Sequence, residues 1–344
     1  MNAETKAMMK AAVLVEYGQP LEIQEVPVPE PKPGEVLVKL DVCGVCHSDV
    51  HFWKGEHQLP GGLPQVMGHE GIGRVVKTGS LDGRFKEGDR VGVGYVYDTC
   101  HQCRECLTGH ETNCSSAEAT GVHVSGCYAE YVCLQEAWTT AIPESLDAID
   151  AAPLLCAGVA AYSAVRKANL EAGQLAVIFG AGGLGLYAIQ VAKLSGARVI
   201  AVDIDDAKLA LAWEIGADYI IRADDDPVAF IQSMGGADAC LNFAPVASTW
   251  QQMLAACSPR GRIVLVALPQ GEMSFNASDV VEAGLSIQGS ADGSRQELSQ
   301  LLALAEVGSV NSVTEKIPFA EINSAFQRVA DGQLSGRLVL DISN

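Results

Sequence analysis

Over the first hundred residues, short apolar runs alternate with proline- and glycine-rich breaks. Ala11–Glu16, Glu35–Val42, Gly71–Lys77 and Arg90–Tyr97 are strand-length runs, divided by turn formers such as Pro27-Val-Pro-Glu-Pro-Lys-Pro-Gly34. The pattern predicts a β-rich region. From about residue 154 the period changes. Apolar segments at Leu175–Phe179, Arg198–Val202, Tyr219–Ile221, Ala239–Phe243 and Ile263–Leu268 read as strands. Helical patterns at Gly185–Ser195, Asp206–Ile215, Val228–Met234 and Ser248–Cys257 separate them. Strands alternating with helices of this length imply a parallel sheet with right-handed crossovers. A helix at Arg295–Val307 and a strand at Arg337–Ile342 do not continue the alternation and are expected to return to the first domain.

The glycine run Gly180-Ala-Gly182-Gly183-Leu184-Gly185 follows the strand Val177-Ile-Phe179 and opens a helix. In that setting the first glycine permits a tight turn and the second lets the backbone approach a pyrophosphate. The third lets helix and strand pack closely, and the helix N-terminus faces the phosphates. Asp203 ends the next strand, 23 residues past Gly180, where a carboxylate can accept from the adenosine ribose hydroxyls and repel a 2′-phosphate. NAD is therefore expected over NADP, with Lys208 a second candidate contact. The fold class is α/β, a Rossmann doubly wound parallel sheet plus a β-rich catalytic domain. The expected boundaries are 155–290 for the nucleotide domain and 1–154 with 291–344 for the catalytic one.

Size and charge narrow the function. The 344 residues suit two domains, and 48% apolar content suffices for large cores. A formal net charge of −19 argues against nucleic acid and anionic membranes as partners. The apolar stretches Ala151–Val165 and Leu175–Leu194 fall short of an uninterrupted membrane span and read as buried elements of a soluble protein. Eleven cysteines, an odd number, exclude full pairing and point to a reducing, cytoplasmic setting.

The ligand-type residues form two groups. Cys100, Cys103, Cys106 and Cys114, at spacings of three, three and eight, can wrap one loop (about 97–115) around a tetrahedral Zn²⁺. Such a site is coordinatively full and holds a lobe in shape; two disulfides are the alternative. The second group is dispersed over Cys43-Gly-Val-Cys46-His47-Ser48-Asp49-Val-His51, Gly68-His69-Glu70 and Cys156. Cys46, His69 and Cys156 would make a Cys₂His set with an open fourth position, one of the known catalytic zinc arrangements. Cys43 and Cys46 also read as a redox dithiol, and spacing alone does not link positions so far apart.

Together these stretches, with Leu154-Leu-Cys156-Ala-Gly158 and Gly336-Arg337, closely resemble the zinc-dependent medium-chain alcohol dehydrogenases, nearest to the tetrameric microbial ethanol-type branch. The resemblance implies a GroES-like catalytic domain, two zinc ions per chain, NAD, and a small alcohol or aldehyde as substrate. It implies that Cys46, His69 and Cys156 hold the catalytic zinc, with Glu70 behind it and Asp49 orienting His69. His47 and Arg337 would contact the pyrophosphate. Ser48 and His51 would carry the hydroxyl proton by way of the cofactor ribose to solvent. Backbone near Val266 and Leu268 would meet the nicotinamide carboxamide, and Trp53 and Tyr95 are pocket candidates. Polyol and threonine dehydrogenases of the same superfamily commonly carry glutamate in place of Cys156, which disfavours them. A non-catalytic zinc or nucleotide-binding protein is the remaining alternative.

Overall fold

The computed structural model describes residues 7–268 and 272–343. The chain divides into two compact units, one comprising Met1–Cys156, Ser294–Glu306 and Ser312–Asn344, the other Ala157–Gly293 and Val307–Asn311.

In the first unit, the long strand Glu35–Gly44 organises a seven-stranded sheet. It pairs antiparallel with Gly71–Thr78, Tyr131–Gln135 and Arg337–Asp341. A three-stranded sheet is built on Met8–Leu14. Its partner Glu22–Pro27 is an edge strand with no fully buried residue, which is why no apolar pattern announces it. The run Arg90–Tyr97 forms two strands, Arg90–Val93 and Val96–Asp98, interrupted at Gly94-Tyr95. Val36, Val38, Leu40, Val91, Val132, Leu338 and Leu340 fill the core between these strands.

The second unit carries a six-stranded parallel sheet. Its order runs Tyr219–Arg222, Arg198–Asp203, Leu175–Phe179, Ala237–Asn242, Cys257–Leu265, Ser286–Gly289. This is the doubly wound order, and it reverses direction between Leu175–Phe179 and Ala237–Asn242, where such sheets take a ligand. Leu175–Phe179 is buried at all five positions, as a central parallel strand requires. The strand expected at Ile263–Leu268 starts earlier and stops at Leu265. The apolar stretch after Ala151 contains the helix Ala157–Ala168, buried along most of its length. Among the described residues no single helix is long and apolar enough to cross a membrane.

Candidate active site and metal centres

Antiparallel pairing explains how residues remote in sequence converge. Cys43 faces Gly71, so Cys46 and His69 both lie just beyond the same end of the paired strands. Gly44 faces Val339, which brings Arg337 to that end as well. Cys156 follows the 3₁₀ turn Ala152–Leu155, whose Leu155 packs directly over Gly92 of the neighbouring strand.

The helix His47–Trp53 starts here, with Cys46 as its N-cap. Asp49 accepts from the Cys46 backbone N–H at 3.3 Å, and the Asp49 N–H donates to the Cys46 carbonyl at 3.2 Å. Asp49 is buried and also accepts from Tyr128 Oη at 2.7 Å and the Gly68 N–H at 3.3 Å. These donors offset the cost of burying its charge and fix its position.

Cys46, His69, Glu70 and Cys156 bring their ligand atoms within 4.8 Å of one another. The Cys46 and Cys156 sulfurs are 3.8 Å apart, the edge of a tetrahedron with metal–sulfur bonds of ~2.3 Å. His69 is 1% exposed, yet neither ring nitrogen has a hydrogen-bond partner among the described residues. Its Nδ1 lies 3.4 Å from Asp49 Oδ1, too poorly aligned for a regular bond. A buried imidazole left so costs ~1–3 kcal/mol unless a ligand satisfies it. The Cys156 thiol beside it, aided by His69, holds Cys46 well below the usual thiol range, so a thiolate is ready to bind a cation. Two thiolates and an imidazole fit zinc.

Glu70 is fully buried, and its Oε1 accepts from Arg337 Nη2 at 2.5 Å. Burial raises its carboxyl to about 7, against the pull of the Arg337 guanidinium. Its Oε2 sits over Gly44, where an added Cβ would come within 1.9 Å. Glycine at 44 is thus a packing requirement. Arg337 is 7% exposed and its Nε has no partner among the described residues.

Along the helix, Ser48 Oγ lies 2.9 Å from Cys46 Sγ, and the His47 and His51 rings stand 4.9 Å apart. His51 Nδ1 meets Glu56 Oε2 at 2.5 Å. Trp53 donates its indole N–H to the Gln19 carbonyl at 2.7 Å and packs edge-on against Phe326. Tyr95 meets the His69 ring edge-on at 5.1 Å. Tyr128 and Glu56 escape a reading by motif. The only signal for Glu56 is a carboxylate five residues past His51, just beyond the helix.

In the 97–115 lobe, the Cys100–Cys106, Cys103–Cys106 and Cys100–Cys114 sulfur separations are 3.9, 3.4 and 3.6 Å. None of the eleven cysteines is joined in a disulfide, so the disulfide alternative does not hold. Backbone N–H groups of Gln102 and Cys103 pull Cys100 down to about 6. Cys103, in spite of the Cys106 N–H, is pushed up to about 12 by desolvation and the neighbouring thiols. Four thiolates at this separation would repel one another, so full deprotonation of the cluster calls for a cation among them.

The dinucleotide loop shows a different job for each glycine. Gly180 has φ +97°, and a Cβ there would press on the Phe243–Ala244 backbone. At Gly182, the helix N-cap, a Cβ would meet nothing within 4 Å, leaving open space of the kind a phosphate fills. At Gly185 a Cβ would sit 1.9 Å from the Gly180 carbonyl, so close packing of turn and helix demands glycine. Gly183 and Leu184 form the first turn of the helix Gly183–Leu194. Asp203 Oδ2 accepts from the Ala181 N–H at 2.7 Å, tying the strand-end carboxylate to the loop. Lys208 lies on the first turn of the helix Asp206–Glu214. Val266 donates its N–H to the Asn242 carbonyl at 3.2 Å, and Leu268 is exposed.

Comparison with known proteins agrees with this geometry. Residues 32–144 match the family model described as alcohol dehydrogenase GroES-like domain, and residues 183–306 match the one described as zinc-binding dehydrogenase. An alcohol dehydrogenase from Moraxella sp. is 41% identical over 97% of this chain and 99% of its own length. One from Geobacillus stearothermophilus is 40% identical over the same shares. Among solved structures, the alcohol dehydrogenase from Aeropyrum pernix matches with a TM-score of 0.90 at 32% identity, over 96% of this chain and 99% of that one. The acetophenone reductase from Geotrichum candidum, solved with NAD, matches with a TM-score of 0.87 at 28% identity, over 98% of each chain. With its two cysteine-containing donor sets and its glycine loop on this fold, the chain belongs to the zinc-dependent medium-chain alcohol dehydrogenase family.

Proposed function

We infer that the chain is an NAD-dependent alcohol dehydrogenase that interconverts alcohols with aldehydes or ketones, with primary alcohols as preferred substrates and secondary or aromatic ones as further candidates. The observation that carries this reading is the convergence of the Cys46, His69 and Cys156 donor atoms around a buried imidazole whose nitrogens are unsatisfied among the described residues. When bound, zinc would supply Lewis acidity that lowers the pKa of a hydroxyl from ~16 toward ~7, and NAD would take up the hydride.

The protein groups prepare that chemistry. Cys46 and Cys156 bring two negative charges to a divalent ion, and His69 brings none. Asp49, held by Tyr128 and two backbone N–H groups, orients His69 from Nδ1. Ser48 Oγ receives the hydroxyl proton, and His51 passes it to solvent. Gly180, Gly182, Gly183, Leu184 and Gly185 hold the cofactor phosphates, aided by His47 and Arg337. Asp203 and Lys208 take the adenosine ribose, and Val266 and Leu268 the carboxamide. Trp53 and Tyr95 border the substrate. The structural zinc takes Cys100, Cys103, Cys106 and Cys114. A cytoplasmic homotetramer is the assembly that the family resemblance implies, and eleven cysteines outside any disulfide favour a reducing compartment.

The test is NADH formation across a panel of primary, secondary and aromatic alcohols, run on the parent and Asp203→Gly. The parent should turn over primary alcohols with NAD and scarcely with NADP. The variant should lose at least about 10-fold in its NAD-over-NADP ratio, because the carboxylate that repels a 2′-phosphate is gone. No turnover with any alcohol would defeat the functional reading; an unchanged ratio would remove Asp203 from the cofactor site.

A further inference from the structure

The helix His47–Trp53 ends in a tight reversal that returns the chain to its own flank. Lys54 donates its N–H to Val50, Gly55 to Phe52, and Glu56 to the His51 carbonyl at 3.0 Å. Gly55 takes φ +72°, and a Cβ there would come within 3.2 Å of the Tyr17 ring. Tyr17 Oη also accepts the Leu59 N–H at 2.9 Å. The reversal is therefore anchored on both sides of residue 56, which sets Glu56 Oε2 at 2.5 Å from His51 Nδ1.

That contact decides which ring nitrogen carries hydrogen. An ionised carboxylate only accepts hydrogen bonds, so Nδ1 must be the nitrogen that carries hydrogen. His51 beside it holds Glu56 below the usual carboxylate range, so it is ionised at neutral pH. In the neutral ring, Nε2 of His51 is then the nitrogen with the free lone pair. The other titratable groups near this pair are the His47 ring at 4.9 Å and the His57 ring at 5.7 Å from the His51 ring, and Lys54; the hydrogen bond at Nδ1 is the one to Glu56.

We propose that Glu56 is a positioning residue for the proton relay, fixing His51 as the Nδ1–H tautomer so that Nε2 faces the incoming proton. This rests on the relay role assigned to Ser48 and His51 above. In alcohol oxidation one proton arrives at Nε2 and leaves from the imidazolium to water, 27% of the His51 side chain being exposed. Nδ1 keeps its proton throughout, Glu56 stays a carboxylate, and its charge offsets the imidazolium. The logic is that of the aspartate behind a catalytic histidine.

The experiment uses the zinc-loaded enzyme and four variants: Glu56→Gln, Glu56→Asp, His51→Gln and the His51→Gln/Glu56→Gln double. Nitrogen-15 histidine spectra report the tautomer without reference to activity. The parent should show His51 protonated at Nδ1, and Glu56→Gln a mixture of tautomers. In kinetics, Glu56→Gln should lower kcat for alcohol oxidation about 10-fold, a part of what a general base contributes. KM should hold, Glu56→Asp should recover most of the loss, and the double variant should be no slower than His51→Gln alone. If His51→Gln slows oxidation while Glu56→Gln changes neither tautomer nor kcat, the role of Glu56 is overturned and the relay stands. If His51→Gln leaves kcat unchanged, the relay assignment itself fails and takes this proposal with it.

Discussion

Cys46→Ala will lower alcohol oxidation by at least about 10⁴-fold while leaving the protein folded. Zinc lowers a hydroxyl pKa by nearly nine units, worth ~12 kcal/mol of alkoxide stabilisation at ~1.4 kcal/mol per unit, so loss of the ion removes nearly all of the rate. With one sulfur gone, Cys156 and His69 alone cannot hold zinc in a tetrahedral site. Stability should change little, because the backbone of Cys46 still starts the helix in the variant: its N–H meets Asp49, and its carbonyl accepts from the Asp49 N–H. Steady-state kinetics with a thermal melt and metal analysis decide the matter. The expected result is background turnover, a near-parental melting temperature and one zinc ion per chain instead of two. Activity within about 10-fold of the parent would mean that this sulfur holds no catalytic metal.

Cys103→Ala should do the reverse. The helix Arg104–Leu107 buries no side chain, and Leu107 is 73% exposed, so the lobe has almost no apolar core to fall back on. Its shape then depends on the ion, whose binding contributes ~10–16 kcal/mol in small zinc modules. The loss would spread beyond the lobe. Buried Glu111 accepts from Arg295 Nε at 3.1 Å, and the Arg295 guanidinium lies 4.2 Å over the Trp138 ring. Trp138 in turn donates to Asp98 at 3.2 Å. Losing about 3–5 kcal/mol of this would lower the melting temperature by about 10 °C. Calorimetry should show that shift together with one zinc per chain, and turnover at low temperature should stay within about 3-fold of the parent, since this zinc has no open position. Equal loss of activity in the two cysteine variants, without unfolding, would erase the division between a catalytic and a structural ion.

How far a feature is legible in the sequence follows from how local it is. The four cysteines of the lobe lie within fifteen residues, and a short loop leaves them few ways to arrange themselves, so spacing alone points to a metal. The glycine loop is equally local, one turn between a strand and its helix. The catalytic donors are another matter. Cys46 and Cys156 are 110 positions apart, and only the pairing of Cys43 with Gly71 and the packing of Leu155 on Gly92 make them neighbours. No hydrophobic period encodes that, and the family resemblance supplied it. The helix His47–Trp53 was hidden for a related reason. Its histidines and aromatics are indifferent helix formers, and it exists through the reciprocal Cys46–Asp49 cap, whose residues read first as chemistry. Glu56 escaped because its meeting with His51 depends on the left-handed turn at Gly55.

An anomalous difference map at the zinc edge, from crystals of the zinc-loaded protein grown with and without an alcohol, tests the central claim most directly. It should show two peaks per chain, one enclosed by the four lobe cysteines. The other should lie ~2.3 Å from the Cys46 and Cys156 sulfurs and ~2.1 Å from a His69 nitrogen, with its last corner taken by water or alcohol oxygen. No peak among Cys46, His69 and Cys156, or Glu70 closing that corner in both crystals, would contradict the account.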